Sequence, residues 1–206
     1  AIEAFGFTEL NGKTCVDVGA STGGFTDCLL QHGAEKVYAV DVGYGVLDWK
    51  IRNDPRVVVM EKTNARYVEG FSDPIDMVVV DASFISLRTL LPVIQRWFLT
   101  GEGAVIALIK PQFEAGRAET ARGSGVIRDP FVHRSVLNTI LSAAQEDGFQ
   151  VEGLIRSPLT GPKGNVEFLV HLVFPKSVEI DVATFVEERM QAWDTDQITK
   201  STAKPI

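Results

Sequence analysis

The chain is poor in cysteine, histidine, long apolar runs and positive charge, and each shortage removes a class of protein. Its two cysteines, Cys15 and Cys28, form no C-x-x-C pair and no disulfide framework. They are expected as buried, reduced thiols of a cytoplasmic protein. The three histidines, His32, His133 and His171, lie far apart without metal-ligand spacing, so no metal site is expected. No apolar run approaches the roughly 18 residues that cross a membrane. The opening Ala-Ile-Glu-Ala-Phe-Gly-Phe puts no basic segment before an apolar one, so no secretory signal is expected. An initiator Met is missing too, and the chain is expected to be part of a longer one. Lys and Arg number 20 against 27 Asp and Glu, for a net charge of −7. Bulk attraction to nucleic acid is therefore not expected, and such a partner would need a local basic patch or a further domain.

What is present suffices for one domain with a sizeable core: 206 residues, 45% of them hydrophobic. Short apolar runs predict strands at 14–18, 36–40, 57–60, 75–80, 104–109, 151–155 and 166–174. Helical patterns fall at 24–32, 87–98, 130–147 and 182–193, with a helix end in residues 1–9 and a frayed tail from Asp194. Residues 112–129, with Gly116, Gly123 and Gly125, read as a long functional loop. Alternating strands and helices imply a parallel, doubly wound α/β sheet covered on both faces. Ligands in such folds bind beyond the carboxyl ends of the strands.

The richest stretch is Cys15 to Cys28, Cys-Val-Asp-Val-Gly-Ala-Ser-Thr-Gly-Gly-Phe-Thr-Asp-Cys. It reads as a strand, a glycine turn and a helix start, the parts of a nucleotide cradle. The glycines, Gly19, Gly23 and Gly24, do not follow the G-x-G-x-x-G of a dinucleotide site. Asp17 would repel a pyrophosphate but suits a ligand with a cationic end, such as S-adenosylmethionine. Asp41, ending the second strand, is placed to accept two ribose hydroxyls. The plain alternative is a βαβ unit with a tight turn and solvated acids.

Asp17/Gly19, Asp41, Asn64, Asp81 and Lys110 all fall at or just after strand ends. Glu167 opens the seventh strand; if that strand pairs with the fifth, Asp81, Lys110 and Glu167 converge on one rim. A lysine between two carboxylates is commonly a structural ion pair. The functional alternative is an amine that takes a proton from an attacking hydroxyl.

Asp17-Val18-Gly19-Ala20-Ser21-Thr22-Gly23-Gly24-Phe25-Thr26-Asp27, Asp81-Ala82-Ser83-Phe84-Ile85-Ser86-Leu87, Lys110-Pro111-Gln112-Phe113-Glu114 and the Ser157–Phe168 stretch, with Gly161-Pro162-Lys163-Gly164-Asn165-Val166-Glu167, form a series of four motifs. In this order they resemble the bacterial TlyA haemolysin/rRNA methyltransferase family, within the FtsJ-like ribose 2′-O-methyltransferases. The resemblance covers about residues 1–174 and leaves 175–206 as an unmatched C-terminal extension. It implies a Rossmann-like S-adenosylmethionine-dependent methyltransferase sandwich, a seven-stranded, mostly parallel sheet with an antiparallel last strand. It implies methyl transfer to ribose 2′-hydroxyls of ribosomal RNA (16S, 23S or both, with cytidine as nucleotide), and ribosomal subunits as partners. Asp81, Lys110 and Glu167 match the last three members of a Lys-Asp-Lys-Glu tetrad. Lys110 would steer or deprotonate the hydroxyl, Asp81 would orient Lys110 near the methyl group, and Glu167 would complete the network. Cofactor contacts are implied for Asp17, Gly19, Ala20, Ser21, Thr22, Gly23, Gly24, Phe25, Asp41, Asn64 and Asp81. The tetrad's first lysine and an S4-type RNA-binding domain are expected upstream of Ala1.

Arg88, Arg117, Arg122, Arg128 and Lys163 are candidate phosphate contacts, each of which also reads as an ordinary solvated side chain. Trp49 and Phe113 could stack on a base, though packing is the expectation for each. Two other functions fit the same fold. A non-catalytic docking module on the ribosome or a membrane partner would have no need of Asp41 or the glycine turn. An NAD-type oxidoreductase would want the missing fingerprint. Pore formation finds no spanning or basic amphipathic segment to support it.

Overall fold

Each apolar run expected as a strand becomes one. A computed structural model describes residues 1–202, with backbone only for residues 117, 118, 122, 162 and 194–202. The strands are β1 (Thr14–Val18), β2 (Lys36–Val40), β3 (Val57–Met60), β4 (Met77–Val80), β5 (Gly103–Ile109), β6 (Gln150–Arg156) and β7 (Phe168–Phe174). They form one sheet in the order β3-β2-β1-β4-β5-β7-β6. The first five are mutually parallel, and β7 runs antiparallel between β5 and β6. The direction of the chain reverses outward from β1 in both directions, so the carboxyl ends of β1 and β4 flank the switch point where such sheets bind ligands.

Strand periodicity sorts the core into two layers. Val16, Val18, Val78, Val80, Val105, Ala107 and Ile109 face one cluster, beneath α4 (Leu87–Ile94), α7 (Pro130–Glu146) and α8 (Val182–Thr202). Cys15, Met77, Val79 and Ile106 face the other, beneath α1 (Ile2–Phe5) and α2 (Gly24–Gln31). Trp97, fully buried in the first layer, keeps its indole N–H satisfied on the Val68 carbonyl at 2.9 Å.

Three expectations change. The loop at 112–129 contains two short helices, α5 (Pro111–Glu114) and α6 (Gly116–Arg122), which follow the one-turn α3 (Trp49–Arg52) and α4 in the chain. Pro111 presets the first turn of α5, and the good helix formers of Gly-Arg-Ala-Glu-Thr-Ala-Arg outweigh the flanking glycines. The helix expected to reach Phe98 stops at Ile94 and tightens into a 3₁₀ turn over Gln95–Trp97. Pro92 has no N–H to bond the preceding turn. The backbone of α8 is helical to Thr202, where fraying was expected from Asp194. Its Val182, Val186 and Met190 join the main core, so the segment after residue 174 packs on the same core as the sheet. Among the described residues no helix is long and apolar enough to cross a membrane.

Candidate active site

The parallel register aligns the strand ends. Val18 lies beside Val40 and Val80, and Val40 beside Met60, so the residues that follow share one rim. Backbone bonds close that rim: Gly19 N–H donates to Val40 O at 2.9 Å and Asp81 N–H to Val18 O at 2.9 Å. Gly19 adopts φ +86°, and a Cβ there would lie 2.7 Å from the Asp81 carbonyl oxygen. Only glycine lets the two chains approach this closely. Above them opens a cleft of about 280 Å³, lined by Gly19, Ser21, Asp41, Asn64, Asp81 and Phe84 among others.

Asp41 is set by the backbone. Its Oδ2 accepts from Ser21 N–H at 2.8 Å and its Oδ1 from Gly43 N–H at 2.6 Å. Each oxygen keeps a second lone pair for a ligand hydroxyl. Asn64 caps the 3₁₀ turn Ala65–Tyr67 by accepting from Arg66 N–H at 3.1 Å, and it remains exposed on the cleft wall.

The rest of the glycine turn faces elsewhere. Asp17 is fully buried below the turn, where Thr26 Oγ1 donates to its Oδ2 at 2.7 Å. Its Oδ1 has no partner among the described residues. Burial pushes this carboxyl up to about 6, the Thr26 bonds oppose the rise, and the charges of Asp81 and Asp41 add to it. Ala20 packs with Ala39 and Leu47, Gly23 backs onto Leu47 and Ile51, and Phe25 packs against the second core layer. Thr22 O accepts from Asp48 N–H, and Gly24 begins α2. Of the turn expected to touch a cofactor, Gly19 and Ser21 line the cleft; Asp17, Ala20 and Gly23 are buried, and Thr22 and Gly24 are exposed.

Lys110, directly after β5, pairs its Nζ with Asp81 Oδ1 at 2.5 Å and lies 3.3 Å from Ser83 Oγ. The lysine side chain is 11% exposed and the aspartate 35%, so the amine is largely enclosed while the carboxylate opens to the cleft. Antiparallel pairing of Ile109 with Phe168 sets Glu167 opposite Lys110 on the same rim, one residue before β7 begins. Glu167 is 5% exposed, and its Oε1 accepts from Gln112 Nε2 at 2.8 Å. Gly161 covers that carboxylate; a Cβ there would fall 2.1 Å from Oε1. Asn165 braces the covering loop, accepting from Ile127 N–H at 3.0 Å and donating to Gly125 O at 3.0 Å. The three residues thus converge, with the lysine held by Asp81 and the glutamate by Gln112.

Reading of strand ends did not single out Gln112, Gly161 or Phe84. Gln112 lies two positions beyond Lys110, and that adjacency was the available signal. Phe84 has φ +63°, is 90% exposed and meets Phe113 at 4.8 Å between ring centroids. Glu114, raised by burial, accepts from Leu87 N–H at 2.9 Å and so ties the lysine-bearing segment to the start of α4. Among the candidate phosphate contacts, Arg88, Arg128 and Lys163 are exposed. The side chains of Arg117 and Arg122 lie outside the described residues. Trp49, expected to pack, is 74% exposed.

Residues 1–174 match the family described as FtsJ-like methyltransferase. A relative from Bacillus subtilis, "Putative rRNA methyltransferase YqxC", is 51% identical over 166 residues, which are 79% of this chain and 58% of the relative. The 16S/23S rRNA (cytidine-2′-O)-methyltransferase TlyA of Mycobacterium tuberculosis is 47% identical over 174 residues, 84% of this chain and 64% of the relative. The chain therefore spans less than two thirds of the length of these two relatives. A solved structure, "Putative hemolysin from Streptococcus thermophilus", superposes with a TM-score of 0.88 at 42% identity, covering 98% of this chain and 73% of that one. That match takes in α8 as well as the sheet. The chain belongs to the FtsJ-like methyltransferase family.

Proposed function

We propose that this protein transfers a methyl group from S-adenosylmethionine to a ribose 2′-hydroxyl of ribosomal RNA, at a cytidine, in the cytoplasm. The observation that carries the reading is the Lys110–Asp81 pair at the mouth of a glycine-floored cleft, with Glu167 on the same rim. The residues present fit the cofactor. Gly19 leaves open the space a Cβ would fill, Asp41 offers free lone pairs to ribose hydroxyls, and Asn64 lines the wall beside them. When bound, S-adenosylmethionine supplies an electrophilic methyl group on a sulfonium.

The chain's own residues then act on the nucleophile. Lys110 directs one N–H toward Asp81 and another toward Ser83, which fixes the amine and leaves its remaining position for the hydroxyl of an incoming ribose. Attack of that oxygen releases one proton, which passes to the Asp81 carboxylate, or to Lys110 when the amine is in its neutral form. Glu167, braced by Gln112, stands opposite Lys110 in the strand register. The exposed Phe84 ring, paired with Phe113, is a surface on which the target base stacks.

Methyl transfer to ribosomal subunits by the full-length protein tests the reading. Lys110→Ala is expected to abolish transfer while leaving affinity for S-adenosylhomocysteine unchanged, whereas Asp41→Ala weakens that affinity. A Lys110→Ala protein that methylates at the wild-type rate would remove the assigned chemistry.

A further inference from the structure

Outside the cleft, the loops that leave the carboxyl ends of β2 and β3 carry an unusual surface. Tyr44, Trp49 and Tyr67 are 73%, 74% and 74% exposed, in a molecule whose other large rings are mostly packed. Single exposed apolar side chains need no explanation, but two of these rings have a cation over them and the third is followed by a lysine in the chain. Lys62 Nζ sits 4.2 Å over the Tyr44 ring and the Arg66 guanidinium 5.6 Å over Tyr67, while Lys50 follows Trp49 in the chain.

Four acids of the same stretch are engaged internally, whereas Glu69, two residues beyond Tyr67, is exposed. Asp41 accepts from Ser21 and Gly43 N–H, and Asp48 caps α3 by accepting from Lys50 N–H at 2.8 Å. Asp54 pairs with Arg56 at 2.8 Å, and Glu61 pairs with Arg52 and accepts from Gly45 N–H at 2.9 Å. Lys50, Lys62 and Arg66 have no carboxylate partner among the described residues. A chain of net charge −7 therefore carries cations and exposed rings along its β2–β3 edge, with α3 on the Ala39 side of the sheet and the Ala65–Tyr67 turn on the Val40 side.

We infer that this β2–β3 rim, Tyr44/Lys62, Trp49/Lys50 and Tyr67/Arg66, is a contact surface for single-stranded RNA. Unpaired bases stack on aromatic faces irrespective of sequence, and neighbouring cations neutralise the phosphates between them. A duplex keeps its bases inside and has no use for three exposed rings. The surface is continuous with the cleft, because Val42 and Asn64 of the same loops line it. The inference rests on the methyltransferase reading for the identity of its substrate, and deepens it by naming a surface that grips that substrate.

The test uses the full-length protein, a labelled single-stranded oligoribonucleotide over a salt series, and methyl transfer to ribosomal subunits in parallel. The triple variant Lys50→Ala/Lys62→Ala/Arg66→Ala is expected to flatten the log–log salt slope by about 2, at roughly 0.7 per phosphate contact. The triple variant Tyr44→Ala/Trp49→Ala/Tyr67→Ala is expected to weaken binding at least about tenfold with the slope unchanged. Both should raise KM for subunits and leave S-adenosylhomocysteine affinity intact. The single variants Trp49→Ala and Lys50→Ala give the same directions at smaller size if a triple variant misfolds. Wild-type affinity and slope in all variants, with methyl transfer intact, would overturn the surface and leave the enzyme reading standing. RNA losses as expected in a wild-type protein that transfers no methyl group would do the reverse. Equal competition by polyglutamate and RNA for the wild-type surface would point to an acidic protein partner and overturn the inference.

Discussion

Asp17 sits where an ionised carboxylate is expensive, and replacing it by asparagine should stabilise the protein in a pH-dependent way. Burial raises its carboxyl from 3.8 to about 6, because one oxygen has only Thr26 and the other has no partner among the described residues. In the unfolded chain the group ionises near its ordinary value. Between roughly pH 4 and 6 the folded state holds a proton that the unfolded state has released, so wild-type stability falls as pH rises through that window. A shift of about two units corresponds to a penalty of about 3 kcal/mol, complete above pH 6 and absent below pH 4. Asp17→Asn keeps an acceptor for Thr26 and removes the charge. Relative to wild type it should gain stability from pH 4 to 6 and hold a constant advantage of up to about 3 kcal/mol above pH 7. At a cost of 2–4 °C per kcal/mol for a chain of this size, that is a rise in Tm of about 6–12 °C at pH 8. Denaturant unfolding of both proteins at half-unit steps of pH measures it. A stability difference that does not vary with pH would refute the buried-charge account, even if its sign were right.

Other perturbations separate the parts of the site. Gly19→Ala forces a Cβ against the Asp81 carbonyl at a positive φ; it should cost about 2 kcal/mol or more and lower S-adenosylhomocysteine affinity, measured by thermal unfolding and calorimetric titration. Gly161→Ala drives its Cβ into the Glu167 carboxylate, which is the end of a movable side chain. Methyl transfer should fall at least about tenfold with cofactor affinity and Tm nearly unchanged; a large drop in Tm instead would show that the loop, not the glutamate, gives way. Val186→Ala removes two methyl groups from a fully buried position on α8 and should cost about 2 kcal/mol. Circular dichroism and fluorescence should still report one coincident transition, whereas separate transitions would mean that α8 folds apart from the sheet.

The strands were legible because a buried parallel sheet demands short, mainly apolar runs, and residues 14–18, 36–40 and 57–60 match the strands to the residue, with Asp17 and Lys36 as the charged exceptions. Asp81 and Lys110 were legible for the same reason: once strands lie parallel in register, whatever follows their last apolar residue stands on the ligand rim. Asp17 shows the limit of that reasoning. It lies inside β1 on the same face as Cys15, and period-two alternation already turns it toward α2 and away from the rim. Its charge suggested a ligand contact; its parity pointed to the buried bond with Thr26. The bond from Gln112 to Glu167 joins residues 55 apart in sequence, and only the antiparallel register of β7 brings them together. Nothing local in either residue encodes that pairing. Charge behaved in the same way. A net −7 argued against RNA for the chain as a whole, yet Asp54 and Glu61 are each paired with an arginine, while Asp41 and Asp48, bonded to backbone N–H groups, keep their charge. What a polyanion meets at a surface is the local charge and not the total, and over residues 41–67 five Lys and Arg stand against four Asp and Glu.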